Sequence, residues 1–142
     1  MKVSEILHAK GAEVFTVAPT DTISKAVDVL GEKNVGAVLV VGDGGHLSGI
    51  LSERDIVRNI RAQGIGFLSA DVASCMTSDL HTCGPNATVD ELLNQMTQKR
   101  IRHMPVLKNG KLAGMVSIGD VVKKKIAQSE QEAEAMKEYI AS

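Results

Sequence analysis

Two short runs carry the residue types that could do chemistry, Ser52-Glu53-Arg54-Asp55 and Ser117-Ile118-Gly119-Asp120. In each, an aspartate follows a serine by three positions. A carboxylate one turn into a helix has two oxygens and can accept both hydroxyls of a ribose, while the serine sits where the first backbone N–H groups of a helix have no internal partner. The same spacing also makes a capping box with Asp in place of Glu, which needs no ligand. On spacing alone the cap is the simpler reading, and the two roles are compatible.

A phosphate needs positive charge or free N–H donors. Arg100, Arg102 and His103 cluster in one stretch. Arginine can grip a phosphate through paired donors, whereas histidine supplies charge only when protonated. Arg100 reads as the end of a solvated helix. The corresponding stretch of the first half is Gly36-Ala37, without charge, and its nearest donor is Arg54, opposite which the second half has Gly119. Other constellations are missing from the sequence. It has no Gly-x-Gly-x-x-Gly turn, no phosphate-binding loop ending in Gly-Lys-Ser/Thr and no His-Glu-x-x-His. Gly42-Asp43-Gly44-Gly45 joins two expected strands and reads as a hairpin turn. No serine or cysteine is spaced with an obvious base, and His8, His46 and His81 stand alone as surface residues. Cys75 and Cys83 lack metal-ligand spacing and read as free thiols in a reducing compartment. These observations argue against an enzyme and against a metal site.

The elements that must position these residues come in two copies. Pro19-Thr20-Asp21-Thr22-Ile23 corresponds to Pro85-Asn86-Ala87-Thr88-Val89 at an offset of 66 residues, and Gly49-Ile50-Leu51-Ser52 to Gly114-Met115-Val116-Ser117 at 65. One residue is therefore lost in the turn after Val41. Such an internal repeat decides the architecture before any single residue does. Each copy reads strand, helix, strand, strand, helix. In the first, Val14-Phe15-Thr16-Val17 is a strand, Ile23, Ala26, Val27 and Leu30 give a helix over 22–33 its apolar face, and strands over 37–41 and 47–51 flank the glycine turn. In the second, a strand is expected over 80–83 and a helix from Thr88, with Thr88 and Glu91 as capping box. A hairpin over 103–107 and 112–116 follows, around Asn109-Gly110. Ser52 and Ser117 each open a further helix. Val3 to Leu7 resembles Val72 to Met76, a short helical lead-in to each copy, and residues 63–70 form a Gly-containing connection.

With 142 residues the chain is one domain-sized body made of two half-sized units. Its 44% apolar residues include one Tyr, two Phe and no Trp, so the core is aliphatic and offers few stacking platforms for single-stranded nucleic acid. A net charge of −1 gives no field favouring DNA or a membrane surface. The N-terminal segment lacks the apolar run of a secretion signal, and no run approaches a membrane span, so a cytoplasmic location is expected.

An apolar strand, a proline, an amphipathic helix, a hairpin and then Gly-x-x-Ser-x-x-Asp resemble the cystathionine-β-synthase (CBS) domain. Two in tandem, from Val3 to about Ala127, resemble a Bateman module. Ser52-Glu53-Arg54-Asp55 and Arg102-His103-Met104-Pro105-Val106 are similar to segments of small stand-alone bacterial CBS-pair proteins. The resemblance implies an α+β fold of two β-α-β-β-α repeats packed with pseudo-twofold symmetry. It implies adenosine-containing ligands in clefts between the repeats, and a disc-like homodimer through the helices of both units. It places ribose on Asp55 and Asp120, with Ser52 and Ser117 beside them. Phosphate falls to Arg102 and His103, and to Arg54 in the first repeat. The base lies against Gly84 and Ile101 to His103, with Ala18, Val35, Gly36 and Ala37 serving the first cleft, and Ile23 and Val89 giving apolar contact. By periodicity these last two are simply core.

The expectation is therefore a first repeat over 1–63 with its lead-in helix, a second over 71–127, and a solvated or dimer-contacting helical tail over 128–142. Its function would be to sense AMP, ADP, ATP or NAD(H) and pass the occupancy to a downstream protein, with no catalytic cofactor, no membrane span and no nucleic acid. The alternative is a structural interaction module with empty clefts. Of the two sites the second is expected to bind better, since Asp120 and Arg102/His103 supply both ends.

Overall fold

The computed structural model describes residues 1–141. It is an α+β structure in two compact units, one formed by Val14–Leu80 and the other by Met1–Glu13 together with the chain from His81 onward.

In the unit Val14–Leu80, β1 (Thr16–Val17) pairs in parallel with β2 (Ala37–Val41), and β2 pairs antiparallel with β3 (Leu47–Ser52). Helix α2 (Ile23–Lys33) starts where the Thr22 hydroxyl accepts from the Lys25 N–H at 3.1 Å and stops at Asn34, which turns left-handed with φ 53°. Such a cap contributes about 1 kcal/mol. Its buried face of Ile23, Ala26 and Leu30 lies with Val38, Val40 and Leu51 in one aliphatic core. Burying an aliphatic side chain of this size contributes about 1.5–3 kcal/mol. Helix α3 (Glu53–Gln63) adds Ile56. The connection that follows is more ordered than a glycine loop: it forms a 3-10 turn over Ile65–Ser69 that buries Phe67.

The other unit repeats the plan. Helix α4 (Val89–Lys99) opens on the expected box, with Glu91 N–H donating to the Thr88 hydroxyl at 3.1 Å and Thr88 N–H to the Glu91 carboxylate at 3.2 Å. It ends at Arg100, left-handed like Asn34. Strands β4 (His103–Lys108) and β5 (Lys111–Ser117) pair around Asn109 and Gly110, whose positive φ values of 54° and 76° are those of a tight hairpin turn. Ahead of them the expected strand over 80–83 shrinks to a single parallel bridge between Cys83 and Val106. Helix α5 (Ile118–Ala141) runs without a break through the expected tail, whose final residue, Ser142, lies outside the described residues. Met136, Tyr139 and Ile140 on it are exposed.

Sequence repeats and compact units divide the chain differently. Helix α1 (Val3–Lys10) opens the first repeat in sequence, yet its Val3, Ile6 and Leu7 lie in the core of Leu92, Met104 and Val116. Val3 and Ser4 donate to the carbonyls of Ala87 and Pro85, each at 2.9 Å. The lead-in of the second repeat does the same in the unit Val14–Leu80, where Val72 and Ala73 donate to Asp21 and Pro19 at 2.8 and 3.0 Å. Each folded unit thus takes its lead-in from the other repeat. Two glycines record the exchange. A Cβ on Gly49 would stand 2.8 Å from the Thr77 carbonyl, and one on Gly114 would stand 2.8 Å from Leu7. At Gly49 glycine is needed because the lead-in backbone crosses the strand this closely, whereas at Gly114 it makes room for the Leu7 side chain.

Cys75 and Cys83 are both free. Burial pushes the Cys83 thiol up to about 11. Burial and the nearby Asp55 carboxylate raise Cys75 as well, with Arg58 opposing. Among the described residues no helix is long and apolar enough to cross a membrane, and no cluster of three or more His, Cys, Asp or Glu could hold a metal ion.

Candidate functional site

Each unit brings one set of the sequence-derived residues together by the same backbone connections. In the unit Val14–Leu80, Ala37 lies opposite Ser52 across the β2–β3 pair, and the Glu53 N–H donates to the Gly36 carbonyl at 3.0 Å. The segment Val35-Gly36-Ala37 therefore lies against the start of α3. In the other unit His103 lies opposite Ser117, and the Ile118 N–H donates to the Arg102 carbonyl at 2.7 Å. The segment Ile101-Arg102-His103 borders the start of α5 in the same manner. Ala18 and Gly84 occupy matching turns, each accepting an N–H from three residues on, Asp21 and Ala87. Ile23 and Val89 are fully buried in their cores and present no surface for a ligand contact, which leaves them the core role that periodicity already gave.

Both Ser-x-x-Asp runs form their caps. The Asp55 N–H donates to the Ser52 hydroxyl at 3.2 Å, and the Ser52 N–H donates to Asp55 Oδ2 at 3.1 Å. Ser117 and Asp120 repeat this at 3.2 and 2.9 Å. In both carboxylates Oδ2 carries the cap, and Oδ1 accepts nothing from the described residues. The cap therefore does not exhaust the carboxylate. Arg54 and Arg102 are exposed and form no ion pair among the described residues, so their guanidinium donors stay available for an anion.

The two sites differ at Lys10, the last residue of α1, beyond the lead-in that the sequence marked over Val3 to Leu7. The Lys10 ammonium donates to Asp120 Oδ2 at 2.7 Å and to the Met115 carbonyl at 3.0 Å. Half-burial opposes ionisation of Asp120, but the hydrogen bonds from Lys10 and Ser117 and the Lys10 charge outweigh it, holding the carboxyl below its ordinary 3.8. Among the described residues no cation pairs with Asp55. Only the packing of α1 beside β5 and α5 reveals this contact, because 110 residues of sequence separate its partners.

The comparisons with known proteins agree with this layout. The family model described as CBS domain matches residues 3–62 and again 70–126. The mitochondrial CBS domain-containing protein CBSX3 of Arabidopsis thaliana is 36% identical over 97% of this chain and 71% of its own length. A CBS-domain-containing protein of Agrobacterium tumefaciens superposes with a TM-score of 0.85 at 42% identity, covering 87% of this chain and 92% of that one. The CBS domain pair of protein MJ0100, solved in complex with 5'-methylthioadenosine and S-adenosyl-L-methionine, shares the fold with a TM-score of 0.79 at 22% identity over 90% and 98% of the two chains. Two matched repeats, each ending in a capped Ser-x-x-Asp helix start, make this chain a tandem CBS-domain pair and a member of the CBS-domain family.

Proposed function

We propose that this CBS pair is a regulatory ligand-binding module, not an enzyme, and that its ligand is an adenine nucleotide: AMP, ADP, ATP or NAD(H). One observation carries the reading. In each unit a capped aspartate with an uncommitted Oδ1 stands at a helix start whose first N–H is tied to the segment beside it, Gly36 in one unit and Arg102 in the other. Ribose hydroxyls would donate to Asp55 or Asp120, and the exposed Arg54 or Arg102 would take phosphate. Backbone groups of Ala18 and 35–37, or of Gly84 and 101–103, would read the base edge. The MJ0100 pair, which holds two adenosine-containing ligands, supports this ligand class. Binding becomes a signal when the ligand has different affinities for two states of the protein. The readout would pass to a downstream protein or through a homodimer, for which the exposed Val27, Val57, Val122 and Ile126 on α2, α3 and α5 offer apolar helix surface.

The formed caps favour one rival, a structural module in which Asp55 and Asp120 only hold helix starts. Calorimetry with AMP, ATP and NADH separates the two. At least one should bind with a dissociation constant below about 1 mM. If none does, the structural reading replaces ours.

A further inference from the structure

We infer that Lys10 is a specificity-determining residue of the Asp120 site, an internal cation that occupies the ribose-accepting carboxylate and makes this site the weaker of the two for ribose. The inference rests on the ribose role proposed for Asp55 and Asp120. A carboxylate oxygen accepts two hydrogen bonds in its plane. Asp120 Oδ2 already has both, from the Ser117 N–H at 2.9 Å and the Lys10 ammonium at 2.7 Å. Among the described residues, Asp55 Oδ2 accepts the Ser52 N–H alone. A vicinal diol can therefore span both oxygens of Asp55, but at Asp120 it meets a filled oxygen and must displace Lys10. The lysine is held rather than passing by, because its ammonium also donates to the Met115 carbonyl on β5, and α1 is anchored through Val3, Ile6 and Leu7.

The repeat itself shows that the asymmetry is built into the chain. Leu7 fills the space above Gly114, and Met76 fills the space above Gly49, so these two mark equivalent points of the lead-ins. Three residues past Leu7 stands Lys10, whereas three residues past Met76 stands Asp79, an exposed acid that cannot pair with Asp55. One lead-in brings a cation to its aspartate; the other carries no lysine or arginine between Val72 and Leu80. For the ribose contact alone this runs opposite to the expectation from sequence, which counted Arg102 and His103 as well, that the second site binds better.

The test is a titration of the full chain with adenosine, a probe with ribose hydroxyls and no phosphate, followed through the backbone amide resonances of Ser52, Asp55, Ser117 and Asp120. In the native protein the Ser52 and Asp55 amides should saturate at lower adenosine concentration than those of Ser117 and Asp120. Lys10→Met should shift the Ser117 and Asp120 curve about two- to fivefold towards lower concentration, the range open to a half-exposed ion pair, and leave the other curve in place. With 2',3'-dideoxyadenosine, which lacks the vicinal 2'- and 3'-hydroxyls that would compete with Lys10, the variant and the native protein should coincide. Salt supplies a check without substitution: at about 1 M the screening length falls to roughly 3 Å, comparable with the 2.7 Å Lys10–Asp120 contact, so the gap between the two native curves should narrow. An unchanged or weakened Ser117/Asp120 curve in Lys10→Met overturns the inference alone, as does an equal gain with the dideoxy compound or a salt-independent gap. Absence of any response at all four amides in both proteins overturns the nucleotide reading along with it.

Discussion

At Gly49 a Cβ would meet the backbone carbonyl of Thr77, and that carbonyl is pinned by reciprocal hydrogen bonds between Thr77 and Ile50 at 2.9 and 3.0 Å. At the equivalent Gly114 the obstacle is the end of the Leu7 side chain, which can rotate away. Gly49→Ala should therefore cost about 1–3 kcal/mol in chemical denaturation, and Gly114→Ala clearly less. Equal losses would contradict the account of why the motif begins with glycine. Sequence could show that the two glycines recur ahead of Ser-x-x-Asp, but not what crosses over them. The reason is physical: the crossing segment lies remote in sequence from Gly114 and belongs to the other repeat. Lys10 was hidden for the same reason. Ser52, Asp55, Ser117 and Asp120, by contrast, were legible because capping is local and leaves its signature within four residues.

At the scale of elements, α1 is tied to the start of α5 by the half-exposed Lys10–Asp120 pair, with side chains 39% and 25% exposed. Because folding lowers the Asp120 pKa, the stabilisation is present above the ordinary aspartate value of 3.8 and is lost as pH falls through the folded value. The native protein should exceed Lys10→Met in stability by no more than about 1 kcal/mol near neutral pH. The difference should shrink as the pH falls from neutrality to below 3.8. Urea melts of both proteins across that range check it, and a gap that persists in acid would mean that Lys10 stabilises by its aliphatic stem instead. Most elements were readable beforehand, since 3.6-residue and two-residue periodicities are local. The strand expected over 80–83 was not realised beyond one bridge, and the connection expected over 63–70 holds a packed 3-10 turn over Ile65–Ser69 because Phe67 finds a place in the core.

For the whole molecule, the repeat made the tandem CBS architecture visible in the sequence, while the assignment of each lead-in to a folded unit needed coordinates. If the exposed valines on α2, α3 and α5 form a homodimer surface, Val57→Glu should halve the mass seen by light scattering without loss of helix signal. An unchanged mass would move the interface elsewhere. Val57 is 65% exposed, so the substitution should leave the fold intact. The central claim is that two capped aspartates bind the ribose of an adenine nucleotide. The most direct measurement is calorimetry of whichever of AMP, ATP or NADH binds, on the native chain and on the double variant Asp55→Asn, Asp120→Asn. Asparagine keeps an oxygen to accept the cap N–H but loses the charge. The account predicts an unchanged fold and a loss of about 1.5–3 kcal/mol in binding, tenfold or more. Equal affinity in the two proteins would contradict it.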